Sequence, residues 1–171
     1  MKKSLIIALS CLVVLFAACK KPVEPTPEPV DYSASYVGNY IGQFTLAITS
    51  MNNSTVSNMS FPIDSIRMDI TKGTQANTIT ATVTVDNEAY QASGTASADK
   101  ADFGTIHLVI DKPDQNYFFN LDLQLEGTKA VSDTLNILGT FSGNGNFTMP
   151  TGELMLLNEV SGTVDGKLEK Q

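Results

Sequence analysis

From Tyr36 to the end of the chain, apolar and polar residues alternate with a period of two, the repeat of a strand with one buried face. Tyr36, Gly38, Tyr40, Gly42, Phe44, Leu46 and Ile48 share one face of the first run. Ile66, Met68 and Ile70 follow, opposed by Arg67 and Asp69. Ile79 to Val85, Tyr90 to Ala96, Ile106 to Ile110, Tyr117 to Leu125, Leu135 to Phe141 and Val160 to Leu168 repeat the pattern, with Thr, Ser, Asn and Asp on the other face. Leu154 to Leu157 is apolar on both faces and makes a short extra strand, so the chain predicts eight or nine strands and no amphipathic helix. Short links with turn chemistry, at Asp86-Asn87, Lys112-Pro113-Asp114 and Gly143-Asn144-Gly145, make consecutive strands antiparallel neighbours. A meander of this length hides its edges by closing on itself. The expected fold is all-β, an antiparallel barrel, with a β-sandwich as the alternative.

The pattern is different ahead of residue 35. Lys2 and Lys3 form a basic head, and Ser4 to Ala18 is almost wholly apolar. That run is shorter than the roughly 20 residues a helix needs to cross a bilayer, and it reads as a secretory signal peptide. Its end, Phe16-Ala17-Ala18-Cys19, resembles the lipobox of bacterial lipoproteins, although leucine is the usual residue where Phe16 stands. The resemblance implies a diacylglyceryl group on Cys19, which becomes the first residue of the mature chain and ties it to a membrane. The alternative is an ordinary signal peptide cut near Ala18, leaving a free thiol. Cys11 lies within the signal segment, so Cys19 is the single cysteine left and no disulfide can form. Pro22, Pro25, Pro27 and Pro29 make residues 19–34 a tether. It is either an unstructured spacer or a polyproline stalk of about 3.1 Å per residue, roughly 45 Å in all. The chain thus divides into a signal peptide (1–18), a lipidated tether (19–34) and a barrel domain (35–171).

The barrel domain resembles the calycin or lipocalin-like domains of Bacteroidetes lipoproteins. Gly38-Asn39-Tyr40 is similar to the Gly-x-Trp signature of lipocalins, with tyrosine for tryptophan, and Ser50 to Pro62 matches their long first loop over the open end. The chain has no tryptophan and no arginine in its last strand to pack over that aromatic; Lys167 is the nearest substitute. The resemblance implies a small apolar ligand inside the barrel. Surface-exposed lipoproteins of this type carry an acidic cluster after the cysteine. Lys20-Lys21 stands there instead, which points to the periplasmic face of the outer membrane rather than the cell surface.

The formal net charge of −7 argues against a nucleic-acid partner. No inward position carries Asp, Glu, His, Lys, Arg or Cys, so no catalytic residue, cofactor or metal site is expected and the protein is not read as an enzyme. His107, the single histidine, falls on the polar face; Asp64 with Asp69, and Asp99 with Asp102, read as solvated charges. The small inward residues Gly42, Ala81, Ala92, Gly94, Ala96 and Gly139 either leave a cavity lined by Tyr40, Phe44, Tyr90, Phe119 and Phe141, or fill a taper between larger side chains. Asp64-Ser65-Ile66 and Asp133-Thr134-Leu135 resemble O-glycosylation sites of exported Bacteroidetes proteins, with Ser65 and Thr134 as acceptors. Two functions follow: an anchored binder of a small apolar or amphipathic molecule, or a filled module that engages or inhibits an envelope protein partner.

Overall fold

Gly38–Met51 forms the first strand, β1, and each later run of alternating residues adds an antiparallel neighbour to it. The computed structural model describes residues 28–130 and 133–171, without the side chains of residues 57 and 58. Residues 1–27, where the sequence places a signal peptide, Cys19 and most of a tether, lie outside the described residues. The remaining strands are β2 (Ser54–Lys72), β3 (Thr78–Val85), β4 (Glu88–Ala96), β5 (Ala101–Lys112), β6 (Tyr117–Lys129), β7 (Thr134–Thr148) and β8 (Leu154–Lys170). They pair in chain order, and β8 returns to β1 from Tyr40↔Lys170 to Met51↔Val160. The result is a closed, eight-stranded, lipocalin-like barrel rather than a sandwich. Leu154 to Leu157 is not a separate strand but the start of β8.

Two expected turns lie elsewhere. Ser50 to Pro62 is not a long loop. Asn52 and Asn53, at φ 47° and 63°, make a tight hairpin turn, and Ser54 to Pro62 continues as β2, with Thr45↔Pro62 and Ile48↔Met59 in register. Consecutive left-handed asparagines suit such a turn, and the polar residues around it belong to a hairpin wet on its outer face. Gly143-Asn144-Gly145 lies inside β7, where it bulges against β8 between Gly143↔Val160 and Gly145↔Leu157. The chain reverses later, at Met149 to Glu153, where Gly152 takes φ 85° and Met149 N–H donates to Glu153 C=O at 2.8 Å. Asp86-Asn87, with φ 51° and 69°, and the short 3-10 helix Pro113–Gln115 turn the chain where the sequence places turns.

The inward face is the one the alternation marks. Phe44, Ile66, Met68, Ala81, Ile106, Leu108, Leu121, Leu135, Ile137 and Leu168 are all fully buried, and Ser33 is the one buried polar residue among those described. Inward glycines are covered by their cross-strand neighbours. A Cβ on Gly166 would stand 2.5 Å from the Phe44 ring, and one on Gly162 would stand 2.7 Å from Phe141. Phe44↔Gly166 and Phe141↔Gly162 are register partners, so each ring occupies the space its glycine leaves.

The base of the barrel is closed by the segment from Asp31 to Tyr36. Ser33–Ser35 forms a 3-10 helix, and Tyr32 and Tyr36 pack on the core beside it. The Asp31 carboxylate accepts the Ser33 N–H at 3.0 Å, the Ser33 hydroxyl at 2.6 Å and the Asn77 N–H at 3.1 Å, and pairs with Lys72. Asn77 Oδ1 in turn accepts the Tyr32 N–H at 2.7 Å. The barrel's contacts therefore begin at Asp31, within the stretch the sequence assigns to the tether.

Candidate ligand site at the barrel mouth

The end opposite this plug, the mouth, is built by the β1–β2, β3–β4, β5–β6 and β7–β8 connections. Tyr117, Phe147 and Met155 stand side by side there on β6, β7 and β8, as the register Tyr117↔Phe147 and Phe147↔Met155 requires. Phe61 reaches across from β2. Its ring lies 5.2 Å from Tyr117, 5.0 Å from Phe119 and 6.1 Å from Phe147, each edge to face, the arrangement ring quadrupoles favour. Met51, Met59, Met149 and Met155, at the same end of the barrel, are partly buried against the core. Four of the six methionines of the chain thus gather at the mouth. Methionine is unbranched and polarisable, so it repacks around ligands of varied shape. Leu154 and Leu156, more than half exposed, extend the apolar rim onto the outer face of β8.

The five cavity candidates fall at three levels. Tyr40 lies near the base, and its hydroxyl donates to Tyr36 C=O at 3.0 Å. Phe44 and Phe141 lie at mid-height on their glycines. Phe119 belongs to the mouth, and Tyr90 stands at the β4–β5 seam, donating to Val109 C=O at 2.8 Å. The sequence reading missed Phe61, hidden in the supposed loop, and Phe147, beyond the supposed Gly-Asn-Gly turn. The gathering of methionines was the signal that could have found the site.

The cation over Tyr40 is Lys170, not Lys167. Its Nζ lies 6.0 Å from the Tyr40 ring centroid and donates to Val37 C=O at 2.9 Å, whereas Lys167 points to solvent. Lys129 stands over Tyr36 in the same way. Burial pushes the phenols of Tyr36, Tyr40, Tyr90 and Tyr117 above the ordinary tyrosine value; at Tyr117, nearby Lys112 opposes that rise. All four are therefore neutral at physiological pH.

The outer wall is polar. His107 Nδ1 lies 2.8 Å from Asp122 Oδ1, with both side chains largely exposed. An open depression of about 510 Å³ beside this pair is lined by Asp102, Thr105, Gln124, Glu126, Leu138 and Thr140. Ser65 is exposed at a bulge of β2 with φ 59°, and Thr134 is half-buried at the start of β7. The chain matches no protein-family model and no curated protein. No helix among the described residues is long and apolar enough to cross a membrane.

Proposed function

We propose that the protein is an outer-membrane lipoprotein, held through Cys19 on the periplasmic face, whose barrel binds a small apolar or amphipathic molecule without catalysis. The observation that carries this reading is the mouth, where an aromatic cluster and four adaptable methionines cap an interior free of charge. Such a surface gains by removing apolar area from water, at about 25 cal/mol per Å². Phe119 and Tyr90 are the sequence candidates nearest the ligand, and Tyr117 is its polar handle. The aromatic rings packed on mid-barrel glycines favour a ligand held at the mouth rather than deep in the interior.

The test uses the mature chain from residue 19 with Cys19→Ser, which keeps every described contact. Titrated with N-phenyl-1-naphthylamine, it should bind with a dissociation constant on the order of micromolar, and Phe61→Ala should weaken binding about tenfold, or roughly 1.4 kcal/mol. Absent binding, or binding indifferent to Phe61, refutes the reading. Leu154 and Leu156 favour a second reading, an interaction module for an envelope protein, because large apolar side chains exposed together mark contact surfaces.

A further inference from the structure

The apolar rim of the mouth continues onto the outer wall of β6, β7 and β8. Phe118 points outward because its buried neighbours Tyr117 and Phe119 point in. The register carries that row across four strands, as Asp111↔Phe118, Phe118↔Asn146 and Asn146↔Leu156. Leu154 stands one row nearer the rim, opposite Thr148. Leu154 is 56% exposed and Leu156 62%. Phe118, Asn146 and Thr148 are half-buried beside them, so the centre of this surface is uncharged.

The backbone beneath it is held in place. The Leu154–Glu159 part of β8 extends past the end of β1, whose last partner is Val160. Asn52 takes the place of the missing strand. Its Nδ2 donates to Leu156 C=O at 3.0 Å, and its Oδ1 accepts the Asn158 N–H at 2.9 Å. That edge is closed to an added strand, so a partner must meet the side chains instead.

The charge around the patch has one sign. Asp111 and Asp114 flank it on the β5 side, Glu153 and Glu159 on the β8 side, and all four are exposed. None of the four is in an ion pair among the described residues. β7 contains no lysine or arginine, and those of β6 and β8, Lys129, Lys167 and Lys170, stand toward the base. Lys112, next to Asp111 in sequence, is paired with Asp86 instead. An apolar centre inside an unbalanced acidic rim selects its partner. A second copy would set four carboxylates against four, and an anionic membrane would be repelled in the same way.

We propose that this face docks a basic amphipathic protein segment. Its apolar side chains cover Leu154, Leu156 and Phe118, and its lysines or arginines meet the four carboxylates. This rests on the second reading above, the interaction module, and adds the face and the chemistry of the partner. It is independent of the small-molecule ligand.

Fluorescence anisotropy on the mature Cys19→Ser chain tests it, with a labelled amphipathic helix of leucine and lysine as the probe and a leucine–glutamate helix of the same pattern as the control. The basic helix should bind with a dissociation constant on the order of 10 μM in low salt, and roughly fivefold more weakly at about 0.3 M salt. Leu154→Asn with Leu156→Asn, both at exposed positions, should weaken binding at least about tenfold. Glu153→Gln with Glu159→Gln should weaken it about threefold and flatten the salt dependence, and Phe61→Ala should leave it unchanged. Equal binding of the two helices, or binding indifferent to the leucine pair, overturns this surface. Binding that Phe61→Ala abolishes also overturns it, because the helix then sits in the mouth. A native protein partner retained by the leucine variant overturns this surface but keeps the module reading. Absence of both helix binding and a native partner overturns the two together.

Discussion

Gly166→Ala tests whether the interior is filled as described. Gly166 lies on β8 opposite Phe44, and an added methyl group would sit 2.5 Å from Phe44 Cδ1 and 2.9 Å from Gln43 C=O. Real Cβ atoms do not come that close, so the ring must move, and Phe44 is fully buried with neighbours on every side. Overpacking of this kind costs about 1–3 kcal/mol. In an ordinary strand the same change would help, because glycine is roughly 0.5–1 kcal/mol worse than alanine. The net loss, about 1 kcal/mol, lowers the melting temperature of a domain this size by about 3–4 °C, read by far-UV circular dichroism. Phe44→Ala alone should cost about 3–5 kcal/mol. With Phe44 already reduced to alanine, the Gly166→Ala cost should fall by about 1–2 kcal/mol, since only the Gln43 carbonyl clash remains. A Gly166→Ala protein as stable as the parent, or more so, would show that no ring covers that glycine and would refute the packing argument.

Other residues give sharper contrasts. Lys170→Ala removes a hydrogen bond to Val37 and the cation over Tyr40, and should cost about 0.5–1.5 kcal/mol in urea unfolding, whereas Lys167→Ala should stay within about 0.5 kcal/mol. The raised phenols of Tyr36, Tyr40, Tyr90 and Tyr117 hold the folded state neutral. Their contribution to stability is full below the unfolded tyrosine value near pH 10 and is lost as pH rises through the folded values, so ultraviolet titration should show these tyrosines ionising late and together with unfolding. Lys72, with Ser33 and Asn77, holds the Asp31 carboxyl well below the usual carboxylate range. Its contribution is present above the unfolded value and is lost as pH falls through the folded one, so Asp31→Asn should speed exchange of the Asn77 amide at neutral pH and matter less in strong acid.

The barrel wall was legible because its physics is local. Alternation at Ile79 to Val85 or Tyr117 to Leu125 states which side chains must leave water, and asparagine or aspartate at a tight turn states where the chain reverses. The upper half of β2 was not legible. Polar residues such as Ser54, Thr55 and Ser60 interrupt its apolar pattern, and only the pairing with β1 makes it a strand. Gly143-Asn144-Gly145 misled for a related reason. Glycine there serves close cross-strand packing, since a Cβ on Gly143 would meet Asn120 C=O at 2.1 Å and one on Gly145 would meet Phe118 C=O at 2.3 Å and the Phe119 ring at 2.6 Å, and no local rule distinguishes that from a turn. The choice of Lys170 over Lys167 depends on barrel register: Lys170 pairs with Tyr40, while Lys167 pairs with Gln43. The mouth was half legible. Tyr117 and Phe119 lie on a clear strand, but Phe61 meets them from more than fifty residues away, and such contacts exist only once the barrel closes.

The central claim is that the far mouth of an anchored barrel holds a small apolar molecule. Native mass spectrometry of the full protein, taken from the membranes of its own host, tests it most directly. The account requires a mature chain beginning at a lipid-modified Cys19 and carrying one further small apolar mass, which is lost or strongly reduced in Phe61→Ala. A chain without lipid at Cys19 would contradict the anchor. An anchored chain that carries another protein subunit and no small molecule would contradict the ligand.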